Sequence, residues 1–97
     1  MNSCDQLDEL WAVIDDRYAH PSAGSYVSGL ATHVKGIDKA LEKVGEEATE
    51  FILAVKNRDR TRIIEEAADL QFHLMVALRG AGVEYSEVLA ELAARKK

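Results

Sequence analysis

Cysteine, proline and glycine are scarce in this chain of 97 residues, which contains one cysteine, one proline and six glycines. The lone Cys4 has no partner for an intramolecular disulfide, so the sequence excludes a disulfide-stabilised secreted scaffold. No apolar run approaches the roughly 20 residues that a membrane-spanning helix needs. The N-terminal segment is acidic and lacks the basic region and apolar core of a signal peptide. We therefore expect a cytoplasmic protein that has no membrane partner.

Basic residues are also in deficit, with 12 Lys and Arg against 17 Asp and Glu, which gives a net charge of −5 at pH 7. Duplex nucleic acids bind to clustered cations, so this balance argues against a nucleic-acid partner. It does not exclude a small phosphorylated ligand bound through a few local cations or through a metal held by carboxylates. The length indicates one domain over residues 1–97 with a thin core, which makes oligomerisation an early expectation.

The few turn-forming residues predict an all-α fold of about five helices. The first helix is expected to begin at a capping-box pattern formed by Ser3 and Gln6 and to stop before Pro21. Ser25 is expected to cap a short second helix that runs through Val34, with Gly36 in the C-cap position. The other three helices are predicted over residues 38–56, 60–79 and 86–94.

The third predicted helix carries three closely spaced carboxylates, Glu46, Glu47 and Glu50. They lie on the side of the helix opposite its apolar residues, which are Leu41, Ala48, Ile52 and Val55. The simplest interpretation of such a stripe is a charged helix face exposed to solvent. However, like charges three or four residues apart destabilise a helix by about 0.2–0.5 kcal/mol per pair, so the crowding indicates a bound cation.

The fourth predicted helix is apolar around most of its circumference, which is typical of a buried helix. One strip of it carries Glu66, Asp69 and His73. Buried carboxylates are costly unless they are paired or bind a metal, and salt bridges to Arg62 or to nearby lysines are the alternative to a metal. If the two helices pack antiparallel, both acidic groups face each other and suit Mg²⁺ or Mn²⁺. The Glu-x-x-His motifs of a di-iron bundle are absent.

Two segments carry a resemblance to a known family. Residues 43–50 (Lys-Val-Gly-Glu-Glu-Ala-Thr-Glu) and 66–70 (Glu-Ala-Ala-Asp-Leu), the latter followed by His73-Leu74, resemble distinctive blocks of the phosphoribosyl-ATP pyrophosphatase family. This family belongs to the all-α, MazG-like nucleotide pyrophosphohydrolases. Residues 25–26, 36–39 and 56–57 are similar to the family as well. The departures are Glu42 for a basic residue, Phe72 for a tyrosine and Glu84 for a small hydroxyl cap.

The resemblance implies a MazG-like helical bundle completed by dimerisation. It also implies hydrolysis of the α–β phosphoanhydride of 1-(5-phosphoribosyl)-ATP to phosphoribosyl-AMP and pyrophosphate, the second step of histidine biosynthesis. The expected cofactor is Mg²⁺, with Mn²⁺ as a substitute. Direct attack by water is preferred, because the sequence shows no Ser–His–Asp or Cys–His arrangement. We expect a second copy of the chain to pack against the apolar surface of the fourth helix.

The expected metal ligands are the carboxylates of Glu47, Glu50, Glu66 and Asp69. Glu46 is either a further ligand or the base that activates water, so Glu46 and Glu47 are the candidate catalytic residues. The candidate substrate-binding residues are Lys39, Lys43, Ser25, Tyr26 and Lys56. Two alternatives stay open at this point: Lys43 could simply pair with Glu47, and His73 could be either a donor that orients a carboxylate or an ordinary core histidine.

Two other functions fit parts of the sequence. A house-cleaning hydrolase of free or modified nucleoside triphosphates would share the acidic signature, and only the flanking segments argue against it. A non-catalytic helical dimerisation module would leave the carboxylates solvated and would bind no Mg²⁺.

Overall fold

The computed structural model describes residues 4–96, which form five helices and, within that range, no strand. The helices are α1 (Cys4–Ala19), α2 (Tyr26–Ala31), α3 (Ile37–Lys56), α4 (Arg60–Gly80) and α5 (Tyr85–Arg95). The predicted all-α fold with five helices is confirmed. The predicted capping box depends on Ser3, which lies outside the described residues. None of the helices in residues 4–96 is both long enough and apolar enough to cross a membrane.

Helices α3 and α4 form an antiparallel hairpin, which is the most extensively packed pair of elements. The turn between them is short because Asn57 ends α3, Arg58 adopts a φ of 57°, and Asp59 caps α4. The Asp59 carboxylate accepts a hydrogen bond from the backbone N–H of Arg62 at 3.2 Å. A tight connection of this kind holds the acidic segments of the two helices at the same height along the hairpin.

The core lies where α1 and α2 pack on α4. Ile14, Met75 and Val76 are fully buried there. Trp11 is half-buried at the edge of this core and donates its Nε1–H to the Glu84 carboxylate at 3.0 Å. Glu84 is also the N-cap residue of α5, where its backbone N–H donates to the Glu87 carboxylate at 2.9 Å. The acidic residue at this position therefore ties α1 to the start of α5.

The predicted extent of the second helix is wrong. Helix α2 ends at Ala31, because Thr32 leaves the helical conformation while its hydroxyl donates to the Ser28 carbonyl at 2.8 Å. Gly36 is not the C-cap of α2. It is the N-cap of α3, with φ 62° and ψ −142°, a backbone conformation that only glycine adopts readily.

A second expectation, that α4 is buried all round, is also wrong for the single chain. Ile64 is 60% exposed and Leu74 is 41% exposed. On α3, the apolar residues Leu41 and Ile52 are 50% and 59% exposed. The face of α3 that packs against α4 instead includes Glu47, which is buried. The two helices thus turn part of their acidic side inward and leave apolar side chains on the surface.

Candidate functional site

Three carboxylates from the α3–α4 hairpin converge. Glu47 of α3 and Glu66 and Asp69 of α4 each offer an oxygen, and these oxygens all lie within 4.8 Å of one another. Glu66 and Asp69 project from the same side of α4 because they are three residues apart. Glu47 and Glu66 are buried, whereas Asp69 is exposed. The cluster therefore opens to solvent on the side of Asp69.

Each of the two buried glutamates has one paired oxygen and one unpaired oxygen. Oε1 of Glu47 lies 3.6 Å from Nζ of Lys43, and Oε1 of Glu66 lies 2.7 Å from Nη2 of Arg62. Oε2 of each glutamate is buried and has no hydrogen-bond partner. A buried unpaired carboxylate oxygen is strongly unfavourable unless a cation compensates it. Oxygen donors without any sulfur ligand suit a hard divalent cation, so the residues fit Mg²⁺ or Mn²⁺.

Glu50 extends this cluster along α3. Burial raises the pKa of the Glu66 carboxyl above its ordinary value, and the neighbouring Glu50 side chain raises it further, while the charge of Arg62 opposes both effects. The two carboxyl groups are thus close enough to interact electrostatically. That closeness is the arrangement expected when two carboxylates share a cation.

Glu46 stands outside the converging trio and is exposed. Nζ of Lys43 donates to its Oε2 at 3.0 Å, and this hydrogen bond is the main cause that holds the pKa of Glu46 below its ordinary value. The Lys43 ammonium therefore serves Glu46 and Glu47 at the same time. Glu46 is ionised at neutral pH and accessible to solvent.

A chain of hydrogen bonds runs from α2 to the cluster through a buried histidine. Nδ1 of His73 lies 2.8 Å from the backbone carbonyl of Asp69, and Nε2 lies 2.8 Å from the Tyr26 hydroxyl. A carbonyl only accepts, so Nδ1 donates to it, and in the tautomer with its proton on Nδ1 the Nε2 atom accepts from the Tyr26 O–H. Burial raises the pKa of Tyr26, which keeps this proton on the phenol. The Phe72 ring stacks on Tyr26 with 6.1 Å between centroids.

Comparisons with known proteins decide the family. The sequence model of the family described as phosphoribosyl-ATP pyrophosphohydrolase matches residues 7–96. A protein of Methanoculleus marisnigri named phosphoribosyl-ATP pyrophosphatase is 64% identical over 91 residues, which cover 94% of each chain. A protein of the same name from Methanosphaerula palustris is 66% identical over 94% of this chain and 92% of its own.

The chain belongs to the phosphoribosyl-ATP pyrophosphohydrolase family. The predicted family and the predicted hydrolase class are therefore confirmed. A further relative in Haloarcula marismortui, also named phosphoribosyl-ATP pyrophosphatase, is 46% identical over 95% of this chain and 94% of its own. Because these relatives match nearly end to end, the likeness extends over all five helices.

The structure places most of the residues singled out from the sequence at the acidic cluster or next to it. Glu47, Glu66 and Asp69 converge, and Glu50 lies close enough to raise the pKa of Glu66. Lys39 is half-buried on α3, and its charge helps to lower the pKa of Glu46.

The remaining predicted residues lie around the cluster or beyond it. Ser25 accepts the Ser28 N–H at 3.2 Å as the N-cap of α2, which places Tyr26 against His73. Lys56 is exposed at the end of α3, six residues beyond Glu50, or about 9 Å further along the helix.

The structure shows the contacts of Lys43 and His73, the two residues whose roles the sequence left open. Lys43 does contact Glu47, and Arg62 does contact Glu66, yet each contact leaves one buried oxygen unpaired. His73 hydrogen-bonds the backbone of Asp69 and not its carboxylate. Arg62 received no functional role from the sequence, although its spacing of four residues from Glu66 is the signal that predicts their contact.

Proposed function

We propose that this chain hydrolyses the α–β phosphoanhydride of 1-(5-phosphoribosyl)-ATP in a Mg²⁺-dependent reaction. The products are phosphoribosyl-AMP and pyrophosphate, and the reaction is the second step of histidine biosynthesis, which assigns the protein to the cytoplasm. The observation that carries the proposal is the pair of buried, unpaired oxygens on Glu47 and Glu66 beside Asp69. Relatives of similar length carry the name of this activity.

The metal ligands in this proposal are Glu47, Glu66 and Asp69, and Glu50 completes the set from α3. A bound Mg²⁺ or Mn²⁺ would supply charge neutralisation for the triphosphate and a lowered pKa for an attacking water. The carboxylates themselves hold a strongly negative pocket that a triphosphate could not enter without a cation. Since Asp69 is exposed, the substrate reaches the pocket from that side.

Glu46 is our candidate for the base that takes the proton from the attacking water. Its carboxylate is ionised and exposed, and Lys43 fixes its position through a 3.0 Å hydrogen bond. Lys43 and Lys39 lie one helical turn apart on the same side of α3 and neutralise the phosphates. A direct attack on phosphorus needs only a positioned water, a base and charge stabilisation, so no covalent intermediate is required.

The binding of the nucleotide part is assigned to α2 and its preceding turn. Tyr26 is 51% exposed and is anchored through its hydroxyl to His73, so one face of its ring is available to the substrate. Ser25 fixes the start of α2 and thereby the position of Tyr26. Lys56, at the end of α3, is a further candidate for substrate binding. His73 acts as the positioning residue that connects Tyr26 to the backbone of Asp69.

The apolar side chains that the hairpin leaves on the surface support a homodimer. On α3, Leu41, Ala48, Ile52 and Val55 are separated by seven, four and three residues, and on α4 Ile64, Ala67 and Leu74 are separated by three and seven. We define these seven residues as the seam face. Spacing of this kind forms a continuous stripe along a helix and is typical of helices that pack side by side in bundles. We infer that the hairpins of two copies cover each other's seam faces.

The function is tested by measuring pyrophosphate release with Mg²⁺ from phosphoribosyl-ATP and from a panel of ordinary nucleoside triphosphates. We expect turnover of phosphoribosyl-ATP, and Glu47→Gln or Asp69→Asn should abolish it while helical circular dichroism is unchanged. Glu91→Gln, on the exposed side of α5, is the matched control and should keep full activity. Activity confined to the panel would identify a house-cleaning hydrolase, and inactivity on every substrate would favour a binding module.

The dimer is tested by light scattering after size-exclusion chromatography. Ile52→Asp introduces a charge into the centre of the seam face and should give a monomer. Val34→Asp is the control, because Val34 is 96% exposed and lies in the turn before α3, away from the seam face. A wild-type monomer, or an Ile52→Asp dimer as stable as that of Val34→Asp, would contradict the proposed interface.

A further inference from the structure

The two buried glutamates are each neutralised by a cation four residues earlier on the same helix, but the two cations are not equivalent. Lys43 divides its charge between Glu46 at 3.0 Å and Glu47 at 3.6 Å. Arg62 makes a closer contact, 2.7 Å, to Oε1 of Glu66. The Arg62 side chain is 55% exposed, whereas that of Glu66 is 4% exposed. An exposed guanidinium therefore reaches inward to a carboxylate that is almost completely enclosed.

We propose that Arg62 is the counter-ion of Glu66 in the metal-free chain and gives up this carboxylate when a divalent cation binds. Arg62 thereby sets the affinity of the site for its metal. This inference rests on the metal site proposed above. Its physical basis is that Arg62 and the cation compete for the same negative charge and repel each other when both are present.

The surroundings of Glu66 explain why a counter-ion is needed when no metal is bound. Glu66 is enclosed beside Glu50 and Asp69, whose charges both oppose its ionisation. A buried carboxylate in such company requires a positive charge nearby. The guanidinium supplies one charge to one oxygen and leaves Oε2 without a partner. A divalent cation supplies two charges and is shared by several carboxylates, so it compensates the cluster more completely than Arg62 does.

Arg62 has other partners and free space when it leaves Glu66. Its Nη1 already lies 3.4 Å from Oε1 of Glu65, which is exposed on α4. A cavity of about 320 Å³ adjoins it between the end of α3 and the start of α4, and Glu50, Asp59 and Asn57 line that cavity together with Arg62. The guanidinium can therefore move away from Oε1 of Glu66 without losing all of its carboxylate contacts.

The experiment is a calorimetric Mn²⁺ titration of the full chain, combined with thermal unfolding in metal-free buffer. Arg62→Gln should bind Mn²⁺ about three- to tenfold more tightly than the wild type, because the metal no longer has to break an ion pair between one exposed and one buried partner. The same variant should melt at a lower temperature without metal. Arg95→Gln is the matched control, because Arg95 also pairs with a glutamate at i,i+4 and 2.7 Å, at the far end of α5.

The outcomes separate this inference from the proposed metal site. Arg62→Lys retains the charge and should bind Mn²⁺ within about twofold of the wild type, which also guards against a folding defect in the glutamine variant. If Arg62→Gln binds Mn²⁺ as weakly as the wild type or more weakly, Arg62 is not a competitor and the inference is wrong. If the wild type itself binds no Mn²⁺, both the metal site and the role of Arg62 are wrong.

Discussion

The most direct test of the acidic cluster is the effect of metal on thermal stability before and after removal of one buried charge. Glu47→Gln replaces a carboxylate whose Oε2 is buried and unpaired with an amide of the same shape. In metal-free buffer this change removes repulsion with Glu66 and Asp69 and lets an N–H group face them. Lys43 keeps its 3.0 Å contact with Glu46. The metal-free variant is therefore expected to melt no lower than the wild type.

Metal binding should reverse the order of the two melting temperatures, so that the wild type melts above Glu47→Gln. A ligand at 100 times its Kd stabilises the folded state by about 2.7 kcal/mol. For 97 residues, the entropy of unfolding corresponds to roughly 0.2 kcal/mol per degree, so saturation with Mn²⁺ should raise the Tm of the wild type by about 13 °C. If the loss of one ligand weakens binding about 100-fold, the same Mn²⁺ concentration stabilises the variant by only about 0.4 kcal/mol, or roughly 2 °C.

The assay is differential scanning calorimetry with and without Mn²⁺ at one protein concentration, because an oligomer's Tm depends on concentration. Glu91→Gln removes an exposed carboxylate on α5 and should show the full wild-type increase in Tm. An equal increase in Glu47→Gln would refute the assignment of Glu47 as a ligand. A metal-free Glu47→Gln protein that melts far below the wild type would refute the view that its charge is unfavourable there.

Three further predictions follow from individual contacts. Gly36→Ala should lower the free energy of unfolding by about 1–3 kcal/mol in urea titrations, because a residue with a side chain is strained at φ 62° and ψ −142°. Gly29→Ala is the control: Gly29 lies inside α2 with open space around it, so this change should raise the free energy of unfolding by up to about 1 kcal/mol. Tyr26→Phe should lower kcat/KM and cost about 0.5–1.5 kcal/mol of stability, through loss of the 2.8 Å hydrogen bond to His73; unchanged values in both assays would contradict this role. Because the pKa of Glu66 is raised, the folded metal-free chain binds the Glu66 proton more tightly than the unfolded chain does. The stabilisation from this proton is present below the ordinary pKa of 4.5 and is lost as pH rises through the raised pKa. In metal-free buffer, the Tm of Glu66→Gln should therefore increase relative to that of the wild type as pH rises.

The positions of the long helices could be predicted because local signals agree with the packing. Asp59 is a good N-cap after a break at residues 57–59, and it does cap α4. The short α2 was harder to predict, since its end depends on a hydroxyl bond from Thr32 to the Ser28 carbonyl, which a periodic pattern does not reveal. Gly36 is ambiguous for a related reason: glycine is common on both sides of a helix boundary, and only the backbone angles show which helix it serves.

The acidic residues of the site could be predicted from their spacing, and the burial of Glu66 from the apolar surroundings of its helix, but the burial of Glu47 could not. Periodicity places Glu46, Glu47 and Glu50 on one charged side of α3, and a charged side normally faces water. The hairpin instead rotates Glu47 into the contact with α4, while Ile52 remains on the surface. The apolar stripe of a helix predicts the buried side only when all its partners are in the same chain, and the seam face has no such partner among the described residues of this one.

The pairing of individual oxygens is a further step that spacing alone does not determine. A cation four residues before a glutamate is usually a surface ion pair of little energetic consequence. Here both such pairs end on enclosed carboxylates, and both occupy Oε1 while Oε2 stays unpaired. The spacing of these residues in the sequence indicates ordinary salt bridges. Their unpaired, buried Oε2 atoms in the structure instead support a cation site. In our proposal, Arg62 and the metal occupy the Glu66 carboxylate in succession, and Arg62 lowers the affinity for the metal because it must first be displaced.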